Sequence, residues 1–335
     1  SLAGVAWAGL VVWWVVYQRR TGSGTVDTAQ RLIDATRGEA LCFKPNSAFF
    51  EVWGGAGFDA LRDVIAHAGD LPVILDAKRG DIASTAAAYA QSAFKTLNAG
   101  AITLSPYLGE DGVLPFLEHP EAAVFVLCKT SNPSAGTLQN ERVRGQSVYE
   151  LVARLTTAWP GADRIGLVVG ATDTEALRRV RLLSPQAWFL VPGVGAQGGD
   201  LAAAVRRGLR TDGSGMVINA SRSIADATDS RDEANRLRRP INDARRNIAS
   251  GPAERAFSVV SSAPAADALE VTNLTSTALK DVVARALAES GCVKFGSFTL
   301  KSGKTSPFYL DLRRLVRGQD QQLARRRDQL HQQYR

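Results

Sequence analysis

Cysteine, histidine and methionine are scarce in this chain of 335 residues, which holds three, three and one of them respectively. The cysteines, Cys42, Cys128 and Cys292, have no CxxC spacing, and this excludes a disulfide scaffold and a zinc ribbon. Three histidines leave little material for a histidine-rich metal centre, so we expect no bound metal. The chain also lacks a GxGxxG motif after its first strand-like run, which argues against a doubly wound open sheet that binds a dinucleotide.

The net charge of +7 is spread unevenly along the chain. Residues 1–20 carry +2, residues 231–255 carry +3 and residues 311–335 carry +4, so the remainder carries −2. A nucleic-acid-binding domain is expected to concentrate basic residues on its folded body. Because the body here is slightly acidic, we predict no nucleic-acid partner.

The N-terminal segment, residues 1–24, contains an apolar run over residues 2–17 that ends in Gln18-Arg19-Arg20. The run is shorter than the about 20 apolar residues that span a bilayer. Its positive charge follows the run, whereas a signal peptide carries the charge before it. Three interpretations stay open: a short membrane anchor, a buried strand, or a truncated or mis-joined terminus. A membrane partner is the least favoured, and we expect a cytoplasmic protein.

The body alternates short apolar β-branched runs with segments rich in Ala, Leu and Arg, which is typical of a parallel α/β sheet. We predict a (β/α)8 TIM barrel whose first strand is missing or replaced, since seven strands are visible and such a barrel has eight. The run Leu10–Tyr17 is a candidate for the eighth place. The seven predicted strands are Leu41–Lys44, Pro72–Ala77, Ala101–Leu104, Ala123–Lys129, Ile165–Gly170, Trp188–Val191 and Met216–Asn219.

Charged residues gather where these predicted strands end. Asp76 and Lys78 are two residues apart, so on a regular strand their side chains share a face, and Lys44 on the neighbouring strand can reach the same mouth. Asp81 follows the strand end. The plain alternative is an ion-pair ladder that closes the barrel, but buried ladders are costly to desolvate and rarely kept for stability alone.

A glycine-rich loop, Gly193–Gly199, follows the seventh predicted strand and leads into a predicted helix, Asp200–Arg207. Backbone N–H groups of such loops and of helix N-termini favour anions, and barrels often bind phosphate in the loops after strands seven and eight. Arg222, after the last strand, is suited to clamp a phosphate. The alternative is a glycine-rich turn without a ligand.

An ordered set of motifs over about residues 25–228 resembles the orotidine 5′-phosphate decarboxylase family, in the variant with a KRGDI signature. A lone DxKxxD motif is a weak signal, whereas the ordered set is strong. The segments that carry the resemblance are Lys44-Pro45-Asn46, Asp76–Ile82 (DAKRGDI), Ser105–Gly109 (SPYLG), Cys128–Ser134 (CKTSNPS), Gly170–Thr172 and Pro192–Asp200 (PGVGAQGGD).

The resemblance implies removal of CO2 from C6 of orotidine 5′-monophosphate to give UMP, without a cofactor. It implies that Lys78 donates a proton to C6, that Asp76 lies beside the substrate carboxylate, and that Lys44 completes the network and reaches the ribose. It also implies a homodimer in which Asp81 enters the partner's site. The substrate-binding residues that it implies are Asn46, Ile82, Thr85, Ser131, Pro192, Gln197, Gly198, Gly199 and Arg222.

One departure from the family pattern concerns the first strand, which in the family ends in an aspartate that contacts the ribose. No LDPD-like segment precedes Thr25, and the run Leu10–Tyr17 brings no acid. We therefore expect the chain as written to be impaired or inactive.

The remainder of the chain divides by composition. Residues 25–229 form the predicted barrel, residues 230–276 a helical extension and flexible linker, and residues 318–335 a polar tail. Residues 277–317 contain the stretch KFGSFTLKSGKTSPFYLDLR at 294–313. This stretch resembles the N-terminal segment of orotate phosphoribosyltransferases, which implies a vestigial site at Lys301, Phe308 and Tyr309. The PRPP loop of that family is absent from the sequence, so we expect this portion to be inactive. The order of the two parts resembles a bifunctional UMP synthase in the reversed arrangement.

Two alternatives to the decarboxylase interpretation remain. One is another phosphosugar lyase on the same barrel, such as a hexulose-phosphate synthase, which needs a metal; the CKTSNPS segment argues against it. The other is an inactive binding or scaffold fragment of a bifunctional UMP synthase.

Overall fold

The computed structural model describes residues 9–14, 23–194, 199–249, 293–299 and 305–310. By contacts, the chain divides into two compact units, Ser1–Ala256 and Phe257–Arg335. Every element described below belongs to the first unit, except one hairpin.

The first unit is built on eight parallel strands. Seven of them coincide, within about two residues at each end, with the strands predicted from sequence. The strands are β1 Gly9–Trp14, β2 Ala40–Pro45, β3 Ile74–Arg79, β4 Ala101–Leu104, β5 Ala123–Lys129, β6 Ile165–Val169, β7 Phe189–Val191 and β8 Met216–Ala220.

The strands follow one another in the order β2-β1-β8-β7-β6-β5-β4-β3. Parallel bridges from Phe43 to Val73 and from Asn46 to Asp76 also link β2 to β3, the two ends of this order. The sheet therefore curls round on itself, as the predicted barrel requires. The parallel α/β class is confirmed.

The strand β1 is the eighth strand of the sheet, for which the sequence offered only the candidate run Leu10–Tyr17. It pairs in parallel with β8, where Val11 lies opposite Asn219, and with β2, where Trp13 lies opposite Lys44. The strand interpretation of the N-terminal apolar run is thus confirmed over Gly9–Trp14. The rest of that run lies outside the described residues. Within the described part of the chain, no helix has the length and apolar character needed to cross a membrane.

Helices connect the strands. The helix over Ala83–Gln91 continues as a π-helical turn over Ser92–Thr96. The helices are α1 Ser23–Thr36, α2 Ala48–Glu51, α3 Gly54–His67, α4 Ala83–Gln91, α5 Leu114–Leu117, α6 Gly136–Gln139, α7 Val148–Ala158, α8 Thr174–Leu183, α9 Leu201–Gly208, α10 Arg222–Ala225 and α11 Ser230–Ala249.

Side-chain caps explain where several of these helices begin. Ser147 and Glu150 form a reciprocal capping box at the start of α7. Asp173 accepts a hydrogen bond from the Ala176 N–H at the start of α8, and Asp200 accepts one from the Ala203 N–H at the start of α9. Each cap satisfies a backbone donor that has no partner inside the helix.

The hydrophobic core has two parts. The larger part lies between the strands and the helices and includes fully buried Phe50, Phe116 and Phe189. The smaller part is a layer with one residue from each of β2 to β8, and it resembles the side-chain layers that fill parallel barrels. Its members are Cys42, Ile74, Ala101, Phe125, Val168, Leu190 and Val217.

The second unit contributes one described element, a hairpin of β9 Val293–Thr299 and β10 Thr305–Leu310. The two strands pair antiparallel, with Phe295 opposite Phe308 and Lys294 opposite Tyr309. Lys301 lies outside the described residues.

Candidate active site

A buried carboxylate flanked by two lysines forms the centre of the site. We call this group, Lys44, Asp76 and Lys78, the array. The Lys44 ammonium contacts Oδ2 of Asp76, and the Lys78 ammonium lies 2.5 Å from Oδ1 of the same side chain. The side chains of Lys44 and Asp76 are 4% and 6% exposed, whereas that of Lys78 is 49% exposed. Lys44 and Asp76 are thus held in the interior, whereas the Lys78 side chain is half exposed.

The charges of the array fix its protonation. Burial by itself would raise the pKa of Asp76, but the neighbouring Lys44 and Lys78 charges outweigh burial and lower that pKa to about 2. Burial lowers the pKa of Lys44 to about 8, against the opposing attraction of Asp76. Asp76 is therefore ionised throughout the physiological pH range.

The local backbone explains how Asp76 and Lys78 meet, and it differs from the sequence argument. We expected a regular strand on which residues two apart share a face. Instead, the pairing of β3 with β4 shifts register between Leu75 and Arg79, and Lys78 has a φ of +45°. The two side chains converge because β3 bulges at this point, so the expected contact is present but the expected cause is wrong.

The array borders a cavity of about 420 Å³ at the carboxyl ends of the strands, which we call the carboxyl-end cavity. Of the residues predicted from sequence, Lys44, Asp76, Lys78, Ser131 and Pro192 line it. Further lining residues come from the ends of other strands and from the loop after β5. These are Thr103, Leu127, Thr130, Asn132, Gln139, Val168, Leu190 and Asn219.

Ser131 is positioned by the loop after β5. The Gln139 side chain accepts a hydrogen bond from the Thr130 N–H (2.9 Å) and donates one to the Thr130 hydroxyl (2.7 Å). A Cβ atom at Gly170 would lie 2.8 Å from the Ser131 Cβ, so only glycine at the end of β6 lets the loop approach this closely. Ser131 is thereby held at the rim of the carboxyl-end cavity.

Asn219 on β8 is a buried lining residue whose side-chain oxygen has no hydrogen-bond partner within the part of the chain that the structure describes. A buried polar atom without a partner is unfavourable in the free protein. A ligand that donates a hydrogen bond at this point would satisfy it.

Six predicted residues of the decarboxylase site that the structure describes do not line the carboxyl-end cavity. Four of them, Asn46, Asp81, Ile82 and Thr85, follow the ends of β2 and β3. The Asp81 carboxylate accepts a hydrogen bond from the adjacent Ile82 N–H (2.8 Å), and Ile82 and Thr85 are exposed. Asn46 is bridged to Asp76 through the backbone, and its side chain accepts the Ala48 N–H. Within this chain, therefore, Ile82 and Thr85 face solvent, and Asp81 is half-buried.

The predicted phosphate loop is described in part. Gln197 and Gly198 lie outside the described residues. The Gly199 N–H donates to the Gly193 oxygen (3.0 Å), so it is already engaged inside the loop. A Cβ atom at Gly199 would lie 2.6 Å from that oxygen. Close packing inside the loop therefore explains the glycine at this position without a bound phosphate. Arg222, at the start of α10, is exposed.

Sequence reasoning did not single out Thr103, Thr130, Asn132, Gln139 or Asn219 as site residues. Thr103 and Asn219 carry the same signal as Lys44, a polar residue near the carboxyl end of an apolar strand. Gln139 carries no such signal, because it reaches the cavity from a short helix that follows a loop. Within the described residues, no group of three or more His, Cys, Asp or Glu side chains could hold a metal ion.

Comparison with known proteins places this arrangement in a family. Residues 23–237 match the family described as "Orotidine 5'-phosphate decarboxylase / HUMPS family". The chain is 47% identical over 226 residues to the orotidine 5′-phosphate decarboxylase of Roseiflexus castenholzii, and the match covers 65% of this chain and 83% of that protein.

Two solved structures from Leishmania donovani are also similar to this chain. The OMP decarboxylase structure has a TM-score of 0.67 and 49% identity, covering 71% of this chain and 94% of that one. The UMP synthase structure has a TM-score of 0.69 and 47% identity, covering 92% of this chain. The chain spans 63% of the UMP synthase, so it corresponds to a part of that protein.

Proposed function

The chain belongs to the orotidine 5′-phosphate decarboxylase / HUMPS family, and we propose that it converts orotidine 5′-monophosphate to UMP and CO2. The observation that carries this proposal is the Lys44–Asp76–Lys78 array at the floor of the carboxyl-end cavity. We propose further that the curled sheet is a (β/α)8 barrel that presents its chemistry at the carboxyl ends of the strands.

The reaction places an electron pair on a carbon that has no electron sink. As the bond between C6 and the carboxylate breaks, CO2 leaves and the pair stays on C6. An enzyme for so slow a reaction must lower the barrier by about 20 kcal/mol or more. The Lys78 ammonium is the one partly exposed member of the array, so it can face C6, stabilise the developing negative charge and donate the proton that forms the C6–H bond. Water then returns a proton to the lysine.

Asp76 and Lys44 prepare the site for this transfer. Asp76 holds the Lys78 ammonium through Oδ1 and, being ionised, repels a substrate carboxylate placed beside it. Such repulsion favours loss of the carboxylate, and the same Asp76 side chain positions Lys78. Lys44, fixed on the other oxygen, would contact the ribose.

The remaining contacts place the nucleotide. Ser131 at the cavity rim would hydrogen-bond the pyrimidine, with Pro192 beside it. Arg222 and the loop over residues 193–199 would hold the phosphate, which is remote from the reacting carbon. Binding energy from that distant group can then be used to orient C6 against Lys78.

We also propose a homodimer in which Asp81, Ile82 and Thr85 complete the partner's site. Ile82 and Tyr107 are 51% and 83% exposed, and Leu108 is exposed as well. A contiguous patch of exposed apolar side chains marks an interface between proteins, and these three residues are the proposed members of such a patch. Sedimentation velocity on the full chain tests this proposal: a monomer at micromolar concentration would contradict it.

The chain departs from the family where β1 ends, because residues 15–24 contain no Asp or Glu. A ribose contact made by an acid at that place is therefore missing. We propose that turnover is measurable but slower than that of the L. donovani decarboxylase. This departure also favours the second candidate function, an inactive nucleotide-binding part of a UMP synthase.

Residues 277–317 are proposed to be an N-terminal portion of a phosphoribosyltransferase, supported by the extent of the match to the L. donovani UMP synthase. Phe308 and Tyr309 lie on β10. We expect no PRPP-dependent consumption of orotate by this chain.

The test combines turnover and binding. We expect the purified full chain to form UMP from orotidine 5′-monophosphate, and to bind a UMP analogue with an anionic oxygen at C6 more tightly than UMP, by calorimetry. Tight analogue binding without turnover would favour the second candidate. Failure to bind either nucleotide would contradict both candidates.

A further inference from the structure

We propose that Thr103, on β4, is a positioning residue whose hydroxyl holds the bulge of β3 in the shape that brings Asp76 and Lys78 together. The inference rests on the proposed decarboxylase function, since it concerns how the proton donor is placed. It assigns a role to a side chain that contacts the array without being part of it.

The pairing of β3 with β4 shows the need for such a group. Ile74 lies opposite Ala101 and Leu75 opposite Ile102, but the next pair joins Arg79 to Leu104. Three residues of β3, 76 to 78, therefore face the single residue Thr103. A bulge of this kind interrupts the ladder and leaves amide groups without backbone acceptors.

The Thr103 hydroxyl supplies the missing partners. It accepts hydrogen bonds from the Ala77 N–H (3.1 Å) and the Lys78 N–H (3.0 Å), and it donates one to Oδ1 of Asp76 (3.1 Å). A hydroxyl has one donor and two acceptor sites, so its capacity is used in full. Thr103 is 2% exposed, so these bonds are largely shielded from solvent.

These three bonds act on the part of the site that does the chemistry. Lys78 has a φ of +45°, which is uncommon for a residue with a side chain and needs support from its surroundings. The hydroxyl fixes the Lys78 amide and, at the same time, the Asp76 oxygen that the Lys78 ammonium contacts at 2.5 Å. Thr103 thus holds the backbone of Lys78 directly and positions its ammonium group through Asp76.

The test compares Thr103→Val, which keeps the shape and removes the hydroxyl, with Thr103→Ser, which keeps the hydroxyl. Misplacement of a reacting group by about 1 Å can cost roughly 100-fold in rate, so we expect kcat of Thr103→Val to fall roughly 10- to 100-fold. UMP binding, measured by calorimetry, should change by less than about threefold because the contacts to ribose and phosphate lie elsewhere. Thr103→Ser should restore kcat to within about threefold of the wild type.

Thr156→Val is the matched control. Thr156 is 3% exposed, and its hydroxyl bonds the Val152 and Ala153 oxygens inside α7, away from the array. We expect this variant to keep the wild-type kcat. If Thr103→Val does not fold, Thr103→Cys takes its place, because a thiol is a weaker donor and acceptor, and the same loss of kcat with unchanged UMP binding is expected.

Three outcomes overturn the inference. These are a wild-type kcat in Thr103→Val, an equal loss of kcat in Thr103→Ser and Thr103→Val, and a loss of UMP affinity that matches the loss of kcat. Absence of turnover in the wild type would instead remove the proposed function, and with it the role assigned to Thr103.

Discussion

The curled sheet has a cavity at each end. The two cavities are alike in size, but they differ in whether their charged lining residues are exposed or buried. The carboxyl-end cavity has a volume of about 420 Å³, and the cavity at the amino ends of the strands, which we call the amino-end cavity, has about 450 Å³. In the amino-end cavity the charged lining residues, Asp70 and Glu121, are exposed. In the carboxyl-end cavity Lys44 and Asp76 are buried.

Two residues of β2 that lie two positions apart illustrate this difference between the two cavities. Cys42 and Lys44 are both buried, and each lines one of the two cavities. Burial raises the pKa of the Cys42 thiol to about 12, so it stays neutral and acts as a small apolar group. Lys44 instead pairs with Asp76. A buried ion pair costs desolvation energy and is weak as a stabilising device, so its presence at one end points to chemistry there.

The largest effect is expected when the proton donor is removed. Lys78→Ala should lower kcat roughly 10²- to 10⁴-fold, since that is the range contributed by a positioned acid, while UMP binding persists. Asp70→Asn, a change of charge at the amino-end cavity, is the matched control and should leave kcat unchanged. UMP formation is measured for both variants. Equal activity in Lys78→Ala and the wild type would contradict the assignment.

The next effect concerns stability. Asp76→Asn leaves the buried Lys44 ammonium without its carboxylate, and removing one member of a buried pair typically costs about 3 kcal/mol or more of unfolding free energy. Cys42→Ala at the other end should cost only roughly 1 kcal/mol and leave turnover unchanged. Urea denaturation measures both changes. An Asp76→Asn variant as stable as the wild type would show that the buried Lys44 ammonium does not depend on the Asp76 carboxylate.

A smaller effect is expected at Asn219, and it separates stability from binding. Asn219→Leu removes a buried oxygen that has no partner among the described residues, so the free protein should be equally stable or about 1 kcal/mol more stable. UMP should bind about tenfold more weakly, because a hydrogen bond to the ligand is lost. Asn98→Gly, in the amino-end cavity, removes an amide at a residue with a φ of +54° and should leave UMP affinity unchanged. Unchanged UMP affinity in Asn219→Leu would exclude the contact.

The smallest effect is a pH dependence. The pKa of Lys44 lies near 8 in the folded protein, below its ordinary value of 10.5, so UMP affinity should weaken as the pH rises through about 8 and Lys44 loses its proton. The folded protein releases this proton before the unfolded chain does, so the contribution of Lys44 to stability rises between pH 8 and 10.5.

A pair of variants identifies the titrating group. The Lys78 charge lowers the pKa of Lys44, so Lys78→Ala should move the alkaline limit of UMP binding to higher pH, whereas Lys78→Arg should leave it near 8. Calorimetric titrations across this range provide the measurement. An alkaline limit that stays in place in Lys78→Ala would assign it to another group.

The fold was predictable because its determinants are local and periodic. The apolar runs that become β4 and β5 have the predicted bounds, since buried parallel strands read as continuous β-branched stretches. The clustering of Lys44, Asp76 and Lys78 followed from the rule that parallel strands share one functional edge. The eighth strand was foreseen as a possibility, and β1 fills that place over Gly9–Trp14.

The unpredicted features depend on tertiary contacts. The bulge of β3 cannot be seen in DAKRGD, because it arises from pairing with Thr103 on another strand. Gln139 reaches the Ser131 loop from α6, a contact set by loop geometry and not by periodicity. The Gly199 N–H is used inside its own loop, which spacing alone does not reveal.

The most direct test of the account is turnover in D2O with the position of the label determined by NMR. If Lys78 donates the proton to C6, UMP formed by the full chain from orotidine 5′-monophosphate will carry one deuterium at C6, and Lys78→Ala will form it at a greatly reduced rate. UMP formation that is equally fast in Lys78→Ala, or no UMP from the wild type under the same conditions, would contradict the assignment of the chemistry to the carboxyl-end cavity.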